Sequence, residues 1–202
     1  MLLMEVNHRV KNNLQVISSL LDLQAEQMQE ENARMQLMES KNRINSIAQV
    51  HELMYSQENF VSINVKVYFT RLVEEIQSNL WREKGATVEI KCENIDMRIA
   101  EAISVGILLN ELLTNSVKHA KPSGNLLEIL IAFRADNNKI RLDYSDNGQC
   151  NAPFDKGKKG IGTTIISSMV RQLHGTSETY FNGNFKFYLL FELRPDGKNP
   201  YS

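Results

Sequence analysis

The chain has 202 residues, of which 42% are hydrophobic and 23% are charged, and its formal net charge is −1 at pH 7. This composition is typical of a soluble globular protein with one or two domains, and it argues against nucleic acid or an acidic membrane as the main partner. No apolar run approaches the roughly 20 residues that would span a bilayer. Two cysteines, Cys92 and Cys150, are too few for a disulfide framework, so a reducing cytoplasm is the simplest setting.

The N-terminal segment, residues 2–29, predicts one amphipathic helix. His8 lies off its apolar stripe at an outward-facing position, with Glu5 one turn before it and Asn12 one turn after it. This segment alone does not distinguish a functional histidine from a surface histidine on a bundle helix. Because the chain opens so close to His8, we expect either a minimal protein or a fragment of a longer one. The stripe itself consists of Leu3, Val6, Val10, Leu14, Ile17, Leu20 and Leu21.

A second helical pattern runs from Ala33 to Ser56, after a predicted reversal at residues 29–32. Two long helices joined by a short turn form an antiparallel hairpin. The apolar seam of this hairpin is too wide for one partner helix, which favours pairing of two hairpins into a four-helix bundle and hence a homodimer. The alternative is that the seam packs on the second domain of the same chain.

The sequence changes character after a break at residues 57–61. Helical spacing around Leu72, strand-like alternation at 86–91 and a long, largely apolar helix at 99–120 follow. Strands at 126–133 and 139–144, a helix at 163–173 and two strands flanking Asn182-Gly183 complete the pattern. Without a regular βαβ alternation, this order indicates an α+β sandwich in which helices cover one face of a mixed sheet. The predicted fold is therefore α + α/β, with a helical hairpin at 1–60 and the sandwich domain at 61–202.

The helix at 99–120 reserves one face for polar groups. Glu111, Asn115 and Lys118 lie on this face, and His119 lies beside them. An amide oxygen is a good ligand for Mg²⁺ and a lysine suits a phosphate, so this face predicts the edge of a polar site. The alternative is an ordinary solvated helix face.

Two glycine motifs follow. The first, Asp146-Asn147-Gly148, is predicted just past a strand end, where the aspartate can accept a hydrogen bond from an exocyclic amine such as that of adenine. The second, Lys159-Gly160-Ile161-Gly162-Thr163, opens a helix whose free N–H groups would face an anion. Lys156 and Lys158 add positive charge to the loop between them.

Taken in this order, the motifs resemble the catalytic core of a sensor histidine kinase over nearly the whole chain. His8-Arg9-Val10-Lys11-Asn12-Asn13 is similar to the phospho-acceptor box of the His-Arg-x-Lys-Asn subfamily. Residues 111–119 are similar to the N box, residues 146–148 to the first glycine box and residues 160–162 to the second. The fold implied is a dimerisation and phosphotransfer hairpin followed by an ATP-binding domain of the gyrase, heat-shock-protein and histidine-kinase kind.

The resemblance also implies roles for individual residues. His8 would take the γ-phosphoryl group of ATP, Asn115 would hold Mg²⁺ against the phosphates, and Asp146 would read the adenine amine. Residues 147–160 would form the lid over the nucleotide, and Asn12 would position water for dephosphorylation. Nucleotide contacts are predicted for Asn115, Lys118, His119, Asp146, Gly148, Lys159, Gly160, Gly162 and Thr163.

The chain departs from the family pattern in a few places. Cys150 stands where the first glycine box usually has a second glycine, which would stiffen the lid hinge or narrow the approach to the nucleotide. Arg9 follows the histidine where commoner families have an acidic proton acceptor, so Glu5 and Glu111 are both candidates for that role. The HWE subfamily also has a histidine at the position of His119, but its Trp-x-Glu motif is missing, which places the chain beside that group.

The predicted function is an ATP-dependent protein-histidine kinase that phosphorylates His8 and passes the phosphoryl group to an aspartate of a response-regulator receiver domain. The main alternative is a histidine phosphotransferase of the same architecture, with weak or no ATP binding. A non-enzymatic scaffold or ATP-binding regulator on the same fold is the third possibility.

Overall fold

The structure is a computed structural model that describes residues 2–56, 62–80, 85–122, 124, 126–149 and 160–193. Side chains are described within these ranges except at residues 2–8, 11, 49–56, 75, 78–80 and 182. The helices are α1 (Leu2–Gln27), α2 (Glu31–Ser56), α3 (Val65–Leu80), α4 (Ile99–His119) and α5 (Ile161–Gln172). The strands are β1 (Ser62–Asn64), β2 (Ala86–Cys92), β3 (Asp96–Arg98), β4 (Leu127–Asp136), β5 (Lys139–Gln149), β6 (Thr176–Asn182) and β7 (Asn184–Glu192).

Helices α1 and α2 form the predicted antiparallel hairpin, with the reversal at residues 28–30. Polar contacts fix their register, because Ser18 donates a hydrogen bond to Asn45 at 3.0 Å and Lys41 pairs with Asp22 at 2.6 Å. The predicted apolar stripe of α1 divides in two. Leu14 is partly buried, whereas Leu20 on the other side of the helix is 54% exposed.

The second part of the chain is built on a five-stranded mixed sheet with the strand order β2-β4-β5-β7-β6. Strands β2 and β4 are parallel and the other neighbours are antiparallel. One face of the sheet is buried, as the alternating burial along β5 shows. Phe133 and Leu142 from this face join Phe69 of α3 and Leu109 of α4 in one hydrophobic core. Helices packed on a mixed sheet confirm the predicted fold.

The predicted turn at Asn182-Gly183 is present, and a second hairpin turn joins β4 to β5. Asn137 adopts a φ of 54° between β4 and β5, and Gly183 adopts a φ of 81° between β6 and β7. Asparagine and glycine tolerate this left-handed conformation better than other residues, which is why these sequences turn here.

Two features of the sheet differ from the sequence prediction. The short strands β1 and β3, three residues each, pair with one another and were not predicted, because three residues are too few to show a strand alternation. Strand β5 continues to Gln149, so the prediction that Asp146 lies just past a strand end is wrong. The ladder continues because Asp146 pairs with Ile129 of the long strand β4. None of the described helices is both long enough and apolar enough to cross a membrane.

Candidate functional site

Helix α4 places the predicted polar residues between the sheet domain and the hairpin. Glu111 is buried, Asn115 and Lys118 are half-buried, and His119 is exposed. The sequence therefore predicted a polar face correctly, but that face is not a solvated one. Other helices cover it.

Glu111 is held by an arginine from the hairpin. The guanidinium of Arg43, on α2, donates to both carboxylate oxygens of Glu111, at 2.6 Å and 3.1 Å. The two side chains are 16% and 4% exposed, so this fork-shaped ion pair is largely shielded from water. Both carboxylate oxygens of Glu111 are occupied by Arg43, so Glu111 would have to leave this ion pair to act as the general base.

Lys118 is also engaged by α2. Its ammonium group pairs with the carboxylate of Glu39, and Glu39 in turn lies 3.5 Å from Arg43. Burial lowers the pKa of Lys118. A lysine predicted to bind phosphate thus shares its charge with an acidic residue of the hairpin.

Asp146 lies on the buried side of β5, directly beneath α4. The hydroxyl of Ser116 donates to its Oδ2 at 2.5 Å, and the backbone N–H of Gly148 donates to its Oδ1 at 2.9 Å. Burial raises the pKa of Asp146, and the two hydrogen bonds oppose that rise because they favour the ionised form. A buried carboxylate fixed through both oxygens is a rigid acceptor for an amine donor.

The glycines of the two motifs have different surroundings. A Cβ on Gly148 would lie 2.4 Å from the Cβ of Ala120, so this glycine allows β5 to approach the end of α4. A Cβ on Gly162 would lie 2.9 Å from Oε2 of Glu111. Gly160 is exposed, and no atom of the described chain lies within 4 Å of its Cβ position.

The start of α5 faces the polar side of α4. Thr163 donates its hydroxyl to the carbonyl of Gly160 at 2.8 Å, which closes the first turn of the helix. The amide of Asn115 lies 3.7 Å from the Cβ position of Gly162. The amide oxygen of Asn115 fits a Mg²⁺ ion that arrives with a nucleotide, since Mg²⁺ binds through few protein ligands plus phosphates and water. The backbone N–H groups at the start of α5 fit the phosphates.

Residues 5–80 match a protein-family model described as histidine kinase. Over this segment the chain is similar to histidine kinases. Curated relatives carry the same description. PdtaS, a sensor histidine kinase of Mycolicibacterium smegmatis, is 31% identical over 120 residues, which are 57% of this chain and 23% of that protein. The blue-light-activated histidine kinase 2 of Erythrobacter litoralis is 24% identical over 191 residues, which are 85% of this chain and 51% of that protein. The chain therefore spans about half or less of the length of these relatives.

Solved structures of histidine kinases have the same fold. The histidine kinase domain of the Erythrobacter litoralis EL346 blue-light activated histidine kinase superposes with a TM-score of 0.69 at 20% identity, covering 95% of this chain and 90% of that one. The histidine kinase AdeS of Acinetobacter baumannii gives a TM-score of 0.56 at 15% identity, covering 91% of this chain and 98% of that one. The resemblance inferred from the motifs is confirmed.

The segment that the sequence predicts to be the phospho-acceptor box lies on α1. The backbone of His8 and Glu5 is helical, and their side chains lie outside the described part of the structure. Asn12 is exposed at one end of a shallow groove along α1 that Val16, Leu20 and other side chains line. Cys150 and Lys159 fall outside the described residues. The roles predicted for these residues stay predictions.

Three residues of the site were missed in the sequence. Arg43 and Glu39 face α4 from the hairpin, but a charged residue on a predicted helix face gives no signal of a partner 68 residues away. Ser116 sits among apolar residues of α4, and a hydroxyl in such a position is a signal that could have been followed. Its hydrogen bond to Asp146 could not be predicted, because Asp146 was predicted to lie beyond the strand and away from α4.

Proposed function

We propose that this chain is the catalytic core of an ATP-dependent protein-histidine kinase in two-component signalling. The observation that carries the proposal is the carboxylate of Asp146, fixed by Ser116 and Gly148 beneath α4, in a chain whose hairpin is similar in sequence to histidine kinases. On the same helix α4, Asn115 faces the start of α5. Asp146 accepts a hydrogen bond from the exocyclic amine of adenine, and the start of α5 accepts the phosphates. Asn115 holds Mg²⁺, which neutralises phosphate charge when bound.

The reaction on the hairpin is an in-line phosphoryl transfer. A neutral imidazole nitrogen of His8 attacks the γ-phosphorus, an N–P bond forms, and the bond from phosphorus to the bridging oxygen of ADP breaks. The proton left on the imidazole passes to a carboxylate, for which Glu5 and Glu111 remain the two candidates. Since Arg43 engages Glu111 here, Glu111 would have to leave that ion pair to serve.

Downstream, the phosphoryl group passes from His8 to an aspartate of a response-regulator receiver domain, which docks on the hairpin in the cytoplasm. Two hairpins pair into a four-helix bundle. The exposed side of α1 supports this, because Val16, Leu20 and Leu23 are each more than half exposed in the single chain. Apolar side chains at this helical spacing are typical of a helix that lacks a partner.

Labelling with [γ-³²P]ATP and Mg²⁺ tests the proposal. We expect acid-labile, alkali-stable label on the wild-type chain, as phosphohistidine requires, and none on His8→Ala. Gln24→Ala, an exposed position farther along α1, should label like the wild type. An unlabelled wild type that takes phosphate from a phosphorylated receiver domain would instead establish the phosphotransferase. ATP binding without any phosphohistidine would establish the non-enzymatic regulator.

A further inference from the structure

Ser116 interrupts the apolar side of α4. Its neighbours on the side that meets the sheet are Leu109, Leu112 and Leu113, all buried in the core. Ser116 itself is only 4% exposed. A buried hydroxyl is costly unless it is hydrogen-bonded, and an alanine would fill this position without that cost. We therefore expect the hydroxyl of Ser116 to make hydrogen bonds that offset this cost.

The hydroxyl of Ser116 joins three groups in a row. It lies 2.5 Å from Oδ2 of Asp146 and 2.7 Å from the phenol oxygen of Tyr144. The phenol lies 3.2 Å from the backbone carbonyl of Leu112. An ionised carboxylate has no proton to give, so Ser116 must donate to Asp146, and the phenol of Tyr144 either donates to Ser116 or to Leu112. Full burial also raises the pKa of Tyr144, which keeps the phenol a donor.

The end of β5 is held in place by contacts that do not involve Ser116. The side chain of Asn147 accepts from the backbone N–H of Glu128 at 2.9 Å and donates to the carbonyl of Leu126 at 3.2 Å. The backbone N–H of Gln149 donates to the carbonyl of Lys121 at 2.9 Å. These contacts fix the backbone around Asp146. The hydrogen bond from Ser116 adds a constraint on the orientation of the carboxylate group.

We propose that Ser116, supported by Tyr144, is a positioning residue for nucleotide recognition that holds the carboxylate of Asp146 as a fixed acceptor for the exocyclic amine of an adenine nucleotide. This inference rests on the proposed function, because it assumes that Asp146 reads the base. With Gly148 on Oδ1 and Ser116 on Oδ2, the carboxylate plane cannot rotate freely, and the remaining lone pairs point in fixed directions.

The proposal predicts a pH dependence. Tyr144 of β5 is the titratable side chain that hydrogen bonds link to Asp146 through Ser116. The strand partner Ile129 of β4 is apolar, and Lys186 of β7, opposite Ser145, is exposed. The ionised carboxylate of Asp146 accepts a hydrogen bond from the adenine amine, and the protonated carboxyl group loses this capacity. Removing the Ser116 donor raises the pKa of Asp146 further, so adenine-nucleotide binding should be lost at a higher pH.

The test is the affinity for the non-hydrolysable ATP analogue AMP-PNP with Mg²⁺, measured by calorimetry between pH 5 and 8 on the full chain. We expect the affinity to fall as the pH is lowered and Asp146 becomes protonated, and we call this fall the acid limb. Ser116→Ala should move the midpoint of the acid limb upward by about one pH unit, the size expected for one charge-assisted hydrogen bond. Tyr144→Phe should move it in the same direction by less. Asp146→Asn should remove the limb. Ser104→Ala is the matched control, because this serine is also buried on α4 but donates to the carbonyl of Ala100.

The outcomes separate the two proposals. A wild type that binds no AMP-PNP at any pH would overturn the proposed function. A wild type that binds, with an acid limb that Ser116→Ala leaves in place, would overturn the role of Ser116 alone. A lower melting temperature of Ser116→Ala would not change this conclusion, since a purely structural serine would lower it without moving the limb. A limb that Asp146→Asn leaves intact would overturn the role of Ser116 as well.

Discussion

Helix α4, which also packs against α3 and α5, makes an apolar contact with the sheet and a charged contact with helix α2. Toward the sheet it presents Leu109, Leu112 and Leu113, which are buried in the core. Toward α2 it presents the ion pairs of Glu111 with Arg43 and Lys118 with Glu39, which we call the α2–α4 interface. The first contact builds the fold. The second involves Lys118, which is predicted to contact the nucleotide, and Glu111, a candidate proton acceptor, so the position of the hairpin and the predicted chemistry of the site are linked.

Two buried polar side chains lie on the side of α4 that carries Lys118. Asn110 and Thr114 precede Lys118 at intervals of four residues and so share its side of α4. Both are buried, and neither side chain has a hydrogen-bond partner within the described part of the chain. Permanent cores leave few such groups unpaired. These two side chains distinguish this side of α4 from the leucines that it packs on the sheet.

The largest effect is expected at Arg43. Arg43→Ala leaves Glu111 as a buried charge without a partner, which should lower the free energy of unfolding by about 3–5 kcal/mol in urea denaturation. Arg34→Ala is the control on the same helix. Its pair with Glu31 is 3.5 Å long and more than half exposed on both sides, so the loss should stay below about 1 kcal/mol.

A second substitution sharpens this prediction. Arg43→Ala combined with Glu111→Gln removes the unpaired charge and should recover much of the lost stability. If Arg43→Ala costs no more than Arg34→Ala, the α2–α4 interface does not hold Glu111 in solution.

A smaller effect is expected at Gly162, where α5 meets the paired carboxylate. Gly162→Ala gains up to about 1 kcal/mol of helix propensity but crowds an oxygen that Arg43 holds in place, a cost of about 1–3 kcal/mol. We therefore expect a net loss of stability in thermal or urea unfolding. Gly160→Ala, with no described atom within 4 Å of its Cβ position, should cost less than about 1 kcal/mol.

Combining Gly162→Ala with Arg43→Ala tests whether crowding of Glu111 causes this loss of stability. In an Arg43→Ala background the carboxylate of Glu111 is free to move, so the cost of Gly162→Ala should shrink. An unchanged cost would mean that the crowding involves a group other than Glu111.

The two kinds of contact were not equally visible in the sequence. Helical spacing was enough to place Glu111, Asn115 and Lys118 on one face and to predict the apolar side that packs on the sheet, because both follow from a period of 3.6 residues. Their partners could not be found in this way. Arg43 reaches Glu111 across 68 residues of chain, and no local pattern encodes that contact.

The hydrogen bonds of Asp146 were missed for a different reason. Asp146, Asn147 and Gly148 are poor strand formers, so local propensity ends the strand before them. The long partner β4 nevertheless extends the ladder to Asp146. Tertiary pairing overrides propensity here, and it turns the carboxylate inward beneath Ser116 instead of leaving it on a loop.

The smallest effect on stability is expected at Glu39, where the consequence for binding is the sharper measurement. Glu39→Gln removes an ion pair whose side chains are 26% and 22% exposed, and it should change the free energy of unfolding by about 1 kcal/mol or less because the uncharged side chain can still accept a hydrogen bond from Lys118. The carboxylate of Glu39 then no longer competes with a phosphate for Lys118, so ATP affinity should rise about two- to fivefold at low ionic strength. The gain should shrink as salt screens the competing charge. Glu31→Gln, on an exposed turn of the same helix, should leave ATP affinity unchanged. An affinity that Glu39→Gln leaves at the wild-type value would show that Lys118 does not bind phosphate, and that the α2–α4 interface and the nucleotide do not compete for it.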